Sequence, residues 1–378
     1  MMKKIIGKNF NWADPRHPVE EISLEIKNIP AYMGCVDFTY KRRDDYVADI
    51  LFGVCPYTGT IQSMNRLPQD RVYLKPHNVC IGDVWETHNS LFAKFVISRI
   101  PDNAVIYEIG GGDGNIASRC IDYVKEWHCI EPNTPNNYFE HPKLIYHNNR
   151  YLDKNDIQNA DIVVHSHVLE HMRSPIEFLI SIDTPQIFSI PNFDEGMRIG
   201  NPSMLNFEHE TALNANVLED LVDRSGYSIT SSEYSNFSLF YEIQKTDRLV
   251  DIRSYTFDYN RSLDILLSYR SSLVIQAIII GNNVKRNRKK YGLVFFFGAH
   301  IFYTILQSCG MNTEFDGIID NSTIKIGKRL YGTDHIVNNP NIIKDFDKVM
   351  VVVPSVPYRS EMIAQIKSLN PKAYIVTL

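Results

Sequence analysis

The sequence predicts an α/β protein built from three parts. Short apolar runs end in polar or glycine-rich segments and are followed by helical patterns, at residues 104–107, 127–130 and 161–164. The same alternation begins again near residue 293, whereas the first 85 residues read as short strands. Strands that alternate with helices predict parallel sheets covered by helices, and 378 residues exceed one compact domain of about 100–200 residues. We therefore expect an N-terminal lobe at 1–85, an α/β core at 86–245 and a second α/β domain at 246–378.

The first strand of the core runs into a glycine-rich turn at residues 108–114, with the sequence EIGGGDG. A dinucleotide fingerprint, G-x-G-x-x-G, would need a third glycine where Asn115 stands, counting from Gly110 and Gly112. Glu108 at the strand end would repel a pyrophosphate and attract the ammonium group of S-adenosylmethionine (SAM). The turn therefore predicts SAM binding by Glu108, Gly110 and Gly112, while a tight turn without a ligand stays open on this motif alone.

A second carboxylate follows at the end of the next strand. Glu131 stands 23 residues after Glu108, and an acidic residue about 20 residues beyond such a turn can accept both hydroxyls of an adenosine ribose. We take Glu131 and Asn133, two residues further on, as cofactor-binding positions. A solvated loop acid is the alternative for Glu131 taken singly.

The third strand and the helix after it read D-I-V-V-H-S-H-V-L-E-H-M-R-S-P, from Asp161 to Pro175. This segment resembles the fourth motif of class I SAM-dependent methyltransferases, and the strand at 186–190 followed by Pro191-Asn192 resembles their fifth strand and its loop. The resemblance spans roughly residues 100–245 and implies a Rossmann-like methyltransferase core. It also implies that His167 occupies a position that contacts the cofactor.

The N-terminal lobe has a strand-rich pattern at residues 47–62. It resembles the zinc-ribbon lobe of nucleotide-sugar C-methyltransferases, which carries two C-x-x-C pairs. Here Thr58 stands in place of the second cysteine of the pair that begins at Cys55, and Cys35 has no cysteine two or three residues away. A structural zinc site needs four ligands, and only Cys80 could join these two, so we expect the structural zinc to be lost.

An amphipathic helix is predicted from Asp83 onward, because apolar residues recur there at three- and four-residue spacing. In class I enzymes a helix at this place lies over the cofactor. His77, Asn78, Trp85 and His88 are then candidates for the wall of the site, and a core or surface role is the favoured alternative for each taken singly.

The C-terminal part resembles the C-terminal domain of the same sugar C-methyltransferases, at residues 298–300, 320–321, 327–328 and 354–362. It would hold the nucleotide of a donor sugar or form an interface, and both alternatives stay open. A basic run at 285–290 is typical of a solvated helix end. The most membrane-like stretch, at 293–306, has 14 residues and falls short of the roughly 20 needed to span a bilayer.

The chemistry of the acceptor is predicted at residues 205–211, a segment that resembles the E-H segment of the C-methyltransferases. There the Glu-His pair is associated with base chemistry. A methyl acceptor must lose a proton, and histidine, with an ordinary pKa near 6.5, suits that role. We predict His209 as general base and Glu208 as its supporting partner; a capping role for both is the alternative.

Two further histidines, His165 and His167, stand at the end of the third core strand. Alternation along a strand would put them on one face, where His209 and Glu210 should converge with them. Two histidines and a carboxylate form a divalent-metal ligand set, so His165, His167, His209 and Glu210 are candidate ligands of a metal that would assist O-methylation. A role of His167 in cofactor contact alone is the competing interpretation.

The composition excludes several classes. A net charge of -5 gives no general attraction to nucleic acid, and six cysteines without disulfide-dense spacing fit a reducing cytoplasm. We expect a cytoplasmic SAM-dependent methyltransferase that acts on a nucleotide-linked sugar, with hydroxyl favoured slightly over carbon and with no nucleic-acid or membrane partner. C-methylation of a keto-sugar and a non-catalytic SAM-binding protein stay open, as does a nicotinamide oxidoreductase, against which Asn115 and the segment at 168–171 argue. The sequence leaves the oligomeric state undetermined.

Overall fold

A computed structural model describes residues 19, 21–74, 82–132, 139–148, 157–235, 237–246 and 259–378. Within these residues the strands form three larger sheets and one two-stranded ribbon. The three sheets follow the chain in order, apart from one short strand of the middle part that joins the first sheet.

The N-terminal part is an antiparallel sheet. Its elements are β1 (Leu24–Pro30), β2 (Cys35–Val36), β3 (Val47–Val54), β4 (Ile61–Ser63) and the short helix α1 (Gln69–Val72). The strand-rich segment at 47–62 is a hairpin, and the amides of Tyr57 and Thr58 donate to Cys55 Sγ at its turn, at 3.4 and 3.2 Å. Cys35 and Cys55 belong to different apolar clusters.

The core contains the longest run of elements. In chain order these are α2 (Asp83–Ile97), β5 (Val105–Ile109), α3 (Ala117–Cys120), β6 (Glu126–Glu131), β7 (Leu144–Asn148), β8 (Ile162–Ser166), α4 (Pro175–Ile180), β9 (Gln186–Pro191), α5 (Phe193–Arg198), β10 (Thr211–Ala212), α6 (Ala215–Arg224), β11 (Tyr227–Tyr234) and β12 (Ser238–Lys245). Within the described residues seven strands form one sheet in the order β11-β12-β9-β8-β5-β6-β7. Strand β12 runs antiparallel to both neighbours, whereas β5 to β9 are parallel.

This strand order confirms the predicted Rossmann-like core. Strand β5 lies in the middle of the parallel part and pairs with β6 on one side and β8 on the other. The chain therefore reverses its direction of winding at β5, and in open α/β sheets ligands bind beyond the carboxyl ends of the strands at such a point. The glycine turn begins there, directly after Ile109.

The C-terminal part is the second α/β unit that the sequence predicted. Its elements are α7 (Tyr259–Tyr291), β13 (Leu293–Phe297), α8 (Phe302–Leu306), β14 (Gly317–Ile319), β15 (Arg329–Leu330), β16 (Val337–Asn338), β17 (Val349–Val352), α9 (Arg359–Leu369) and β18 (Tyr374–Val376). Five of the described strands form a parallel sheet in the order β16-β14-β13-β17-β18.

Helix α7 is one continuous helix of 33 residues, and the basic run at 285–290 lies at its end. Among the described helices it meets the length and hydropathy of a membrane span, with 33% of its most apolar window buried. Its buried side chains, which include Leu266, Leu273 and Ile280, pack into an apolar cluster to which all three parts contribute. Core helices of soluble proteins meet the same criteria, so this helix is weak evidence for a membrane. The stretch at 293–306 is instead strand β13 and helix α8.

The three parts are joined by strand pairing and by a buried ion pair. Strand β2 pairs with β15 of the C-terminal part, and β4 pairs with β10 of the core. The guanidinium of Arg329 donates to both carboxylate oxygens of Asp45 at 2.8 Å and also to the Tyr40 carbonyl. Because β10 directly follows the predicted acceptor segment, the N-terminal sheet is fixed against that segment.

Candidate active site

The glycine turn has the backbone conformation that its sequence suggested. Gly110, Gly112 and Gly114 all have positive φ, at 71°, 55° and 84°. A Cβ at Gly110 would lie 2.7 Å from Val168 Cγ2, whereas a Cβ at Gly112 would meet no atom within 4 Å. Gly110 is therefore needed for packing, and Gly112 presents its backbone to open space that a ligand can enter.

Glu108 lies beneath this turn. Its side chain is buried, and Oε2 accepts a hydrogen bond from Trp127 Nε1 at 2.8 Å. A Cβ at Gly111 would stand 2.7 Å from the same oxygen, and burial raises the pKa of Glu108 to about 7. The structure thus shows Glu108 as a support of the turn, and its direct contact with a cationic ligand stays a prediction.

Glu131 lies on the same edge of the sheet, at the end of β6. Its Oε2 accepts a hydrogen bond from the Gly112 amide at 3.1 Å, and the side chain is buried. A carboxylate therefore stands directly beside the open position of the turn, where the sequence expected the ribose-binding acid. Asn133, the other predicted position of this loop, lies outside the described residues.

His167 lies just beyond the carboxyl end of β8, which ends at Ser166. Its backbone is left-handed, with φ at 54°, and its Nε2 lies 3.0 Å from Ser238 Oγ. The rings of Trp85 and His88 lie 5.5 and 4.9 Å from the His167 ring. Burial lowers the pKa of His88 to about 4 and lowers that of His167 well below its ordinary value. Trp85 and His88 come from α2, as expected.

The remaining side chains of the predicted wall, His77 and Asn78, lie outside the described residues.

The prediction that His165 shares a face with His167 is wrong. Strand β8 ends at Ser166, and the left-handed backbone of His167 breaks the alternation. The His165 ring stacks on Phe188 at 4.8 Å and meets the edge of Phe178 at 5.3 Å. His165 is fully buried, and this burial lowers its pKa to about 3. It is therefore a core residue on the other face of the sheet and no part of a metal site with His167.

His209 is held in one tautomer. Its Nδ1 lies 2.8 Å from the Met204 carbonyl oxygen, which can only accept, so Nδ1 carries the proton and Nε2 carries the lone pair. The Asn206 side chain fixes the turn, because its Oδ1 accepts from the amides of Glu208 and His209 at 2.7 and 3.1 Å. Burial lowers the pKa of His209 to about 4.

Glu208 contributes to this site through its backbone. Its carbonyl oxygen accepts from His171 Nδ1 at 2.9 Å, which leaves the lone pair of His171 on Nε2. The Glu208 side chain is buried, and its charge helps to raise the pKa of Tyr32, after burial and the charge of Cys35. A supporting role of the Glu208 carboxylate toward His209 stays a prediction.

Glu210 does not join the histidines. Its Oε2 lies 3.3 Å from Arg66 Nε, and its backbone amide donates to the Glu170 carbonyl oxygen at 2.9 Å. Among the described residues the group that could hold a metal ion is instead Glu170, His171 and His209, whose ligand atoms all lie within 4.8 Å of one another. The predicted ligand set of His165, His167, His209 and Glu210 is thus wrong in its membership.

Glu170 and His171 were missed as site residues. The sequence offered them only as part of a resemblance, in the turn after β8, and Glu170 is fully buried. Burial raises the pKa of this carboxyl group to about 8. Two adjacent ionisable residues at a strand end could have indicated a site. Only the folded chain shows that His209, 38 positions after His171, lies beside them.

Comparisons with known proteins give distant likenesses. No family model and no curated protein matches the chain. A Burkholderia thailandensis 1,6-didemethyltoxoflavin-N1-methyltransferase structure is 13% identical over 44% of this chain and 82% of its own, with a TM-score of 0.34. The magnesium protoporphyrin IX methyltransferase of Synechocystis PCC 6803 is also 13% identical, over 47% and 93%, with a TM-score of 0.33. Likenesses this distant carry no argument about the reaction, which rests on the site itself.

Proposed function

We propose that the protein is a SAM-dependent methyltransferase. The observation that carries this proposal is the open position at Gly112, where a Cβ would meet nothing within 4 Å and where the Glu131 carboxylate lies one hydrogen bond away. Both stand beyond the carboxyl ends of β5 and β6, where a ligand is expected in such a sheet. His167, directly after β8, lies at the same edge of the sheet because β8 pairs with β5.

The acceptor site is proposed at His171 and His209. In the reaction the acceptor oxygen forms a bond to the methyl carbon of SAM, and the carbon–sulfur bond breaks with its electron pair staying on sulfur. The neutral thioether that leaves needs no acid, whereas the acceptor hydroxyl must release its proton. His209 Nε2 carries a lone pair because Nδ1–H is held by Met204, so it is the proposed proton acceptor.

The proposed acceptor is a hydroxyl of a nucleotide-linked sugar. This part of the proposal is supported by the resemblance of residues 205–211 and of the C-terminal part to sugar C-methyltransferases. A lining of imidazole and carboxyl groups also suits the hydrogen bonds of a hydroxylated substrate. C-methylation of a keto-sugar is the second candidate, and a non-catalytic SAM-binding protein is the third. A cytoplasmic location remains part of the proposal.

The donor is tested by calorimetric titration of the protein with SAM, using Gly112→Ala and Gly226→Ala. Both glycines have positive φ, at 55° and 77°, and a Cβ at either would meet no atom within 4 Å. Both variants should therefore lose a similar stability, about 1–2 kcal/mol. Only Gly112→Ala should also lose SAM affinity. Equal affinity of both variants and wild type would contradict the proposed donor site.

The acceptor is tested by incubating the protein with SAM and a panel of nucleotide sugars, then reading product mass and methyl position by NMR. Loss of turnover in His209→Ala with retained SAM binding supports the proposed base, and His335→Ala in the C-terminal part is the control. A methyl group on carbon would favour the second candidate. SAM binding without turnover on every sugar would leave the non-catalytic alternative.

A further inference from the structure

We propose that Glu170, His171 and His209 form a binding site for a divalent transition-metal ion. The three side chains come from two segments, the turn after β8 and the segment before β10. Their ligand atoms lie within 4.8 Å of one another. A metal ion at about 2.1 Å from each atom would draw them closer together. The site has open positions because only three protein ligands converge on it among the described residues.

The Glu170 carboxyl group is buried in a way that favours a bound cation. The residue has 0% of its surface exposed, and neither carboxyl oxygen accepts a hydrogen bond from any described residue. A buried carboxyl group without partners is costly, and such a group is rare in native proteins. Two histidine nitrogens lie nearby, His167 Nδ1 at 3.7 Å and His171 Nε2 at 3.9 Å from Oε1. Both distances are too long for hydrogen bonds, and the distance from Glu170 to His171 fits an ion bound between these two groups.

The two imidazoles are oriented as in metal-binding histidines. Nδ1 of His209 donates to the Met204 carbonyl, and Nδ1 of His171 donates to the Glu208 carbonyl. Metal-binding histidines almost always donate the other ring N–H to a carbonyl or carboxylate in this way, because the bond fixes the tautomer and the ring direction. In the neutral rings this places both lone pairs on Nε2, and both histidines belong to the group around Glu170.

The ligand set indicates the kind of ion. Two imidazoles and one carboxylate suit zinc, iron(II), manganese(II) or cobalt(II), whereas magnesium and calcium prefer oxygen ligands. An ion here would act as a Lewis acid on an acceptor hydroxyl, which is the part of this inference that rests on the proposed function. His209 would then serve as a ligand, and the hydroxyl, acidified by the bound ion, would release its proton to solvent water.

The site is tested on the full chain, first stripped with a chelator and dialysed. Zinc, cobalt(II) and magnesium are then titrated separately by calorimetry, and the cobalt form is examined by visible absorption. We expect one equivalent of zinc or cobalt per chain, a cobalt spectrum with nitrogen and oxygen ligands, and no comparable binding of magnesium. Less than a tenth of an equivalent of either transition metal would overturn the proposal.

Three variants locate the ion: Glu170→Gln, His171→Ala and His209→Ala. Each should weaken zinc binding at least about 100-fold, since even outer-sphere changes cost 10–100-fold. The control is His147→Ala, because His128 and His147 form another close pair, with ring nitrogens 3.0 Å apart. Unchanged zinc affinity in all three variants, or a loss only in the control, would refute the site. Glu170→Gln keeps the side-chain volume and guards against a loss that reflects misfolding.

Separate measurements distinguish a missing metal site from a wrong methyltransferase assignment. Zinc binding is read without SAM, and SAM binding is read on the stripped protein. If the metal-free protein still binds SAM and turns over, the ion has no role in the reaction and His209 remains the proposed base. Metal binding without SAM binding would support the metal site and contradict the proposed methyltransferase function.

Discussion

Replacing Glu108 by glutamine should stabilise the ligand-free protein increasingly as the pH rises. The Glu108 side chain is 2% exposed and accepts one hydrogen bond, from Trp127 Nε1. Burial raises its pKa from 4.5 to about 7, because the charged form loses its hydration. Glutamine has nearly the same shape and keeps an oxygen that can accept the Trp127 bond, but it never becomes charged.

The sign and size follow from proton linkage. Between pH 4.5 and about 7 the unfolded chain ionises Glu108 while the folded chain keeps it protonated, so the folded state loses stability as the pH rises. The full penalty above pH 7 is about 3 kcal/mol, from about 1.4 kcal/mol per pKa unit. Between pH 5.5 and 8.5 the advantage of Glu108→Gln over wild type should grow by about 2 kcal/mol. Any fixed cost of burying the amide does not change with pH.

The difference in unfolding free energy between Glu108→Gln and wild type is measured by urea unfolding at several pH values. Unfolding is monitored by circular dichroism in the absence of SAM. Glu177→Gln is the control, because Glu177 is an exposed residue on α4 and its replacement reports the loss of a surface carboxyl group. A difference between Glu108→Gln and wild type that stays constant from pH 5.5 to 8.5 would refute the reasoning. It would mean that Glu108 is charged in the folded protein, and the turn would then rest on an ionised group.

Two further predictions concern other parts of the molecule. Glu131→Ala should weaken SAM binding about 10- to 100-fold, since hydrogen bonds to a charged group contribute about 1.5–3 kcal/mol. Calorimetric titration with SAM measures the affinity, and an unchanged affinity would show that Glu131 does not contact the ligand. Arg329→Lys should lower the free energy of unfolding, measured in urea, by about 3 kcal/mol, because the paired donation to Asp45 is lost in a buried position. The control Lys372→Ala, at the exposed pair with Asp347, should change this free energy by less than about 1 kcal/mol. Equal effects of the two variants would contradict the role of the buried pair.

Local pattern was enough for much of the donor side. Apolar runs at 104–107 and 127–130 are strands β5 and β6, and Gly110 and Gly112 have the positive φ that only glycine adopts without strain. Glu131 stands beside the turn because parallel strands bring their carboxyl ends to one edge. These features depend on residues close in sequence or on a regular sheet, so the sequence could predict them.

The acceptor side was decided by tertiary structure. His165 points into the core because β8 ends one residue before the left-handed His167, and a strand's last residue is poorly determined by pattern. Glu210 forms an ion pair with Arg66, which belongs to a segment about 140 positions earlier in the chain. Glu170, His171 and His209 came together because β10 is held by the N-terminal strand β4. The sequence by itself determined the α/β core and its glycine turn, whereas long-range packing alone decided which ionisable side chains meet, since their positions depend on contacts between distant segments.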